Sequence, residues 1–170
     1  MRHGRRTVYA GAGALFDEDS LYRWRLWRAW DASRSRLLWV LLNPSTADAH
    51  HDDPTLRRCV GYAARWGYGA VEVVNLFALR STDPRALHAA VDPVGHANNA
   101  HIATAALEAD LVVCGWGAHA LASSRAAAVV DLLCDAGHLL HCIGVTKAGQ
   151  PRHPLYARGS AVATPWTAPA

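Results

Sequence analysis

The sequence predicts an α/β fold, a three-layer α/β/α sandwich with helices on both faces of a mainly parallel sheet. Three observations carry that prediction. Apolar runs at Leu37–Leu42, Val71–Leu79, Asp110–Cys114 and His138–Val145 lack polar alternation, as strands buried on both faces do. Segments with helical spacing separate them, giving a strand–helix–strand repeat. Each run also stops at a polar or glycine-rich turn, where a strand hands over to a crossover. With 170 residues and no internal boundary, the chain is read as one domain, 1–170, with loosely ordered ends at 1–20 and 159–170.

Residues 1–16 show no clear period. Leu21–Trp30, LYRWRLWRAW, alternates arginine with Trp, Leu and Tyr, which reads as a half-buried strand. Its closeness to Leu37–Leu42 predicts an antiparallel hairpin between the two, beside the central strand or at a sheet edge. Arginines on an edge would discourage aggregation. Asp53 and Pro54 read as N-cap and first residue of a helix running to about Arg65. Further helices are expected at Ala86–Ala90, His96–Ala109 and Leu121–Ala136, the last closed by Gly137. After the fourth run comes a loop to His153-Pro154-Leu155-Tyr156.

Hydrophobic residues make up 51% and charged residues 18%, so the chain can bury a core and does not read as disordered. No apolar run has the roughly 20 residues that span a bilayer. The start, MRHGRRTVYAGAGALF, lacks a leader's apolar region, and a cytoplasmic monomer without membrane contact is expected. The four cysteines follow no CxxC spacing, and Cys114 and Cys142 sit in apolar runs as core thiols do. Basic residues are almost all arginine, with Lys147 the single lysine and a net charge of +3. Arginine reads phosphate and base edges bidentately, so the excess fits a nucleic-acid or nucleotide partner; a coding bias gives the same excess.

In open α/β sheets ligands bind beyond the carboxyl ends of the strands. That edge gathers Asn43 with Pro44, Ser45 and Thr46, then Asn75 with Arg80, then Trp116, then His153.

Nearly the whole chain, Tyr22 to Tyr156, resembles the bacterial and phage family of unknown function DUF1643. YRWRLWRAW, LLNPSTADAHHDDPTLRRC, GYGAVEVVNLFALRSTDP, CGWG and PRHPLY carry that resemblance. The order of motifs is also similar to the uracil-DNA glycosylase superfamily. There a loop after the first parallel strand positions water, an asparagine ending the second reads the base, and a His-Pro loop after the fourth stabilises the departing base. Asn43-Pro44, Asn75 and His153-Pro154 hold those three positions in that order. Leu155-Tyr156 follows the His-Pro pair in place of Ser-Pro, and Ser45 stands where mismatch-specific members have glycine. The cysteines do not match iron–sulfur ligands, so no cofactor is expected.

The resemblance implies an N-glycosidic hydrolase acting on a base in nucleic acid, DNA in preference to RNA, or in a nucleotide. Asn43 would hold water through its carbonyl oxygen, and His153 would donate to the base anion. Asn75 carries a donor and an acceptor for a base edge, and Phe77 and Trp116 offer a wall for a flipped base. Pro44, Ser45, Leu155 and Tyr156 would complete that wall. Arg80, Arg152 and Arg158 are the expected phosphate contacts, with Thr46, Asp53, Thr55 and Arg57 bracing the loop. Ordinary packing is the competing role for Trp116, and a solvated helix face for Arg57 and Arg58. The run His50, His51, Asp52, Asp53 has ligand chemistry, yet consecutive residues rarely turn to one ion and Asp53 serves better as a cap; no metal is expected. The alternatives are a non-catalytic nucleic-acid or nucleotide-binding module, or another enzyme of nucleotide or modified-base metabolism.

Overall fold

A computed structural model describes residues 8–169. Seven strands, β1 (Gly11–Phe16), β2 (Arg23–Ala29), β3 (Arg36–Leu41), β4 (Ala70–Asn75), β5 (Leu111–Cys114), β6 (Leu140–Cys142) and β7 (Thr164–Pro165), form one sheet in the order β1-β2-β4-β3-β5-β6-β7. Four helices accompany them: α1 (Pro54–Arg65), α2 (Ala86–Ala89), α3 (Asn98–Leu107) and α4 (Ala122–Asp135).

The centre of the sheet follows from β3. Leu37, Leu38, Trp39 and Val40 are each 0% exposed, because alternate side chains enter two different cores. Leu37, Trp39 and Leu41 meet Leu56, Cys59, Tyr62 and Ala63 of α1 on one face. Leu38 and Val40 meet Ile102 and Ala105 of α3 and Val129 and Leu133 of α4 on the other. Helices therefore cover both faces of a mixed α/β sheet. Asp53 caps α1 by accepting the Leu56 N–H at 2.7 Å, and Pro54 opens the helix without a donor to lose. Gly137 closes α4 with φ of 86°.

Three expectations are corrected. The sheet is not mainly parallel. Among the described residues the pairings β3–β4, β3–β5 and β5–β6 are parallel, while β1–β2, β2–β4 and β6–β7 are antiparallel. The added strands are short or rich in glycine and alanine, and periodicity does not reveal them. Secondly, β2 forms no hairpin with β3. It pairs with β4, which lies between them, with Leu26 opposite Val73 and Ala29 opposite Ala70. Gly69 makes this possible: its carbonyl accepts Trp30 and Asp31, its N–H donates to the Ser35 carbonyl at 2.9 Å, and a Cβ there would sit 1.9 Å from the Asp31 oxygen. The 30–35 turn thus wraps the start of β4.

Thirdly, strands occur at 11–16 and 164–165, where the sequence shows no period. Gly11–Phe16 covers β2, so the arginines of β2 are not edge guards. A Cβ on Gly13 would lie 2.2 Å from the Trp27 indole, so this strand needs its small residues. Thr164–Pro165 extends the far edge beside β6. Residues 1–7 and 170 lie outside the described residues. The arginines of β2 are instead paired or enclosed: Arg25 shares Glu72, which is 1% exposed, with Arg36 of β3, and Arg28 meets Asp52 at 2.8 Å. No helix among the described residues is long and apolar enough to cross a membrane.

Candidate functional site

The carboxyl ends of the parallel strands open into a crevice of about 760 Å³, within the size range of small-molecule sites. Asn43 and Ser45 from the loop after β3, Asn75 at the last position of β4, Trp116 after β5, and His153, Leu155 and Tyr156 after β6 line it. Asp53, Thr55 and Arg152 line it too.

Hydrogen bonds fix which atom each side chain presents. Both amide hydrogens of Asn43 are taken, by the Pro44 carbonyl at 3.0 Å and the Ser81 carbonyl at 2.9 Å. Its Oδ1 remains as an acceptor. The Ser81 N–H donates back to the Pro44 carbonyl at 2.9 Å, so the loops after β3 and β4 brace each other. His153 accepts the Leu155 N–H on Nδ1 at 3.2 Å, which assigns the ring proton to Nε2. Burial holds its pKa below the ordinary imidazole value, with Asp53 opposing the shift. A neutral ring with Nε2–H as donor is the result. Asn75 is oriented by a neighbour on β2. Its Oδ1 accepts from Arg23 Nη2 at 3.3 Å, and since a guanidinium only donates, this fixes which end of the amide faces Arg23 and leaves the Nδ2 hydrogens for a ligand.

The His153 loop is held from two sides. Gly117 donates to the Pro151 carbonyl at 2.8 Å, and Trp116 Nε1 to Gln150 Oε1 at 2.9 Å. From the opposite face, Arg58 of α1 donates to the Pro154 carbonyl at 3.3 Å and the Ala157 carbonyl at 2.5 Å, and Tyr62 to the Arg158 carbonyl at 2.7 Å. Arg58 is thus a strut for the loop.

Several expected residues lie elsewhere. Phe77 is buried in the core under α3, and Pro44 is buried while its carbonyl braces the loops. Thr46 is exposed and outside the crevice lining. Arg80 lies over the Phe16 ring at 4.8 Å and donates to the Ser20 carbonyl, away from the crevice. Arg158 offers its carbonyl to Tyr62, and its exposed side chain does not line the crevice. Arg57 donates to the Asp52 carbonyl beside a second groove. Trp116 is 2% exposed, so packing and crevice lining coincide in it. The carboxylates of the His50–Asp53 region are used internally: Asp52 by Arg28 and Tyr9, Asp53 as the cap. Among the described residues no group of three or more His, Cys, Asp or Glu side chains gathers to hold a metal.

The crevice also contains residues that the sequence did not single out. Arg23 reaches it because the register with β1 shifts opposite Trp24, turning Arg23 and Leu26 to the same side. Nothing in the alternation signals such a bulge. His119 and Lys147 line the crevice as well; Lys147 is exposed and, as the single lysine at a strand-end turn, was the more legible of the two.

A family model for proteins of unknown function, DUF1643, matches residues 23–155, which includes every strand-end loop of the crevice. The chain belongs to the DUF1643 family. The DUF1643 match begins at Arg23 and ends at Leu155, so both ends of the matched segment lie in the crevice wall. No curated protein and no solved structure matches the chain.

Proposed function

We propose that this crevice binds a nucleobase, within nucleic acid or a nucleotide, and hydrolyses its N-glycosidic bond. The orientation of three side chains carries this reading. Asn43 offers an acceptor that can hold a water, neutral His153 offers an Nε2–H, and Asn75 offers an amide N–H to a base edge. In the reaction the water oxygen bonds to the sugar C1′ as the C1′–N bond breaks, and the bonding pair leaves on the base. His153 donates to the oxygen where that charge gathers, and the water's proton passes to solvent or to the base. Trp116, Leu155 and Tyr156 supply apolar surface for the ring.

The helices on both faces and the loop order support a uracil-DNA-glycosylase-like α/β/α fold; a single domain acting as a monomer is part of the proposal. The antiparallel β1–β2 pair lies outside that resemblance. DNA is the favoured polymer, with Arg152 and Lys147 at the crevice as its phosphate contacts.

The test is a panel of duplexes and single strands carrying uracil, hypoxanthine, xanthine and methylated bases, scored for abasic sites. Asn43→Ala and His153→Ala are expected to lower single-turnover release on the order of a hundredfold, with a much smaller change in binding. A protein that releases no base from the panel yet binds one, with both variants weakening that binding alike, would be a binding module and no hydrolase.

A further inference from the structure

Arg23 does more in the crevice than orient Asn75. It is 3% exposed and lines the crevice. Nη1 donates to the Ala47 carbonyl at 2.9 Å and Nη2 to Asn75 Oδ1 at 3.3 Å, so two of its roughly five N–H groups are used. Its Nε is enclosed and has no partner. Arg25 and Arg28 on the same strand pair with Glu72 and Asp52; Arg23 has no carboxylate partner among the described residues. Burial lowers its pKa to about 10, with Asp53 opposing the shift, so it stays charged at neutral pH. A buried cation with spare donors is an incomplete arrangement in the free protein, because desolvation is offset only by an acceptor.

The neighbouring group deepens the imbalance. Arg23 holds Asn75 Oδ1, which turns the amide N–H of Asn75 to the crevice with the guanidinium charge behind it. A ligand that fits must bring oxygen or negative charge there. Nucleobases differ at the edge remote from the glycosidic nitrogen. Uracil, thymine, hypoxanthine and guanine carry a carbonyl oxygen there, and cytosine and adenine an amino group. An amino group would set donor against donor in a buried place.

We propose that Arg23 makes the crevice floor a recognition site for oxo-substituted nucleobases, holding Asn75 as a donor and facing the oxygen of the base with its own charge. The naming of the ligand rests on the nucleobase reading above; the preference does not require hydrolysis. When a base leaves as an anion, the same fixed charge lies against it, so Arg23 acts on recognition and departure together.

The experiment is calorimetric titration of the full chain with two matched pairs, deoxyuridine against deoxycytidine and deoxyinosine against deoxyadenosine. In both pairs the oxo nucleoside is expected to bind at least about tenfold more tightly. Arg23→Gln, with folding followed by thermal melting, is expected to bring both ratios close to one. Arg23→Lys, which keeps charge but not the fork, is expected to retain only part of the preference. Wild-type ratios near one, failure of all four nucleosides to bind, or a folded Arg23→Gln that keeps the ratios would each overturn the proposal. If Arg23→Gln does not fold, the wild-type ratios and Arg23→Lys decide. A clear preference in a protein that releases no base from the panel would remove the hydrolase reading and leave this one standing.

Discussion

His153 accepts the Leu155 N–H on Nδ1, so protonating its ring would set one donor against another and remove a neutral acceptor. Burial already lowers its pKa from the usual value of about 6.5. The unfolded chain therefore takes up this proton at higher pH than the folded one. Stability from His153 is fully present above about pH 6.5 and is lost as pH falls through the lower folded value. On the hydrolase proposal, base release should decline over the same window, since the loop geometry depends on the neutral ring. A pH–rate profile of single-turnover release is expected to show an acid limb centred below about 6.5, absent from His153→Gln. A limb centred above that value would contradict the assignment. Asn75→Asp puts a carboxylate beside Arg23 and turns an acceptor toward the ligand; it is expected to weaken binding of oxo bases at least about tenfold in titration. Asn43, Asn75 and His153 were legible because strand ends follow from hydrophobic runs, and the turn residues after them follow directly. Arg23 was not, because its inward turn depends on a bulge set by pairing with another strand.

At the level of elements, β4 carries Glu72 inside the run VEVVN, where it is 1% exposed beneath Arg25 and Arg36. None of the three lines the crevice. Glu72→Gln leaves two arginines without their shared carboxylate and is expected to cost about 3 kcal/mol of stability in urea unfolding. A loss under about 1 kcal/mol would mean that Glu108, which also meets both arginines, suffices. The four parallel strands were readable because burial on both faces leaves runs dominated by apolar residues, which Glu72 and His141 interrupt without setting up an alternation. The neighbours of β2 were not. Its partner is decided by Gly69, which lets a turn cross the start of β4, and by Gly13, which makes room for Trp27. Both are long-range packing facts, and local periodicity is blind to them.

Over the molecule as a whole, the net charge of +3 is modest, and what matters is where cations stand. Arg152 and Lys147 line the crevice, while Arg80 and Arg158 do not. If a polynucleotide occupies the crevice, affinity falls with salt, and Arg152→Ala and Lys147→Ala are each expected to reduce the slope by about one. Arg80→Ala and Arg158→Ala should leave it unchanged. Anisotropy titrations of a labelled duplex at several salt concentrations measure this. Binding that ignores salt would point to a small neutral ligand.

The struts from α1 to the His153 loop also impose an order in time. Arg58 grips a carbonyl 96 residues further along the chain, and Tyr62 does the same. At translation rates of about 5–20 residues per second, helix α1 waits roughly 5–20 s for the segment it holds. Through that interval Asn43 and Asn75 can already stand at their strand ends, but the ring that would act on a base has yet to be made. A nascent chain thus carries half of its crevice for that interval, and the wall around His153 is added only when the segment that Arg58 and Tyr62 hold has emerged.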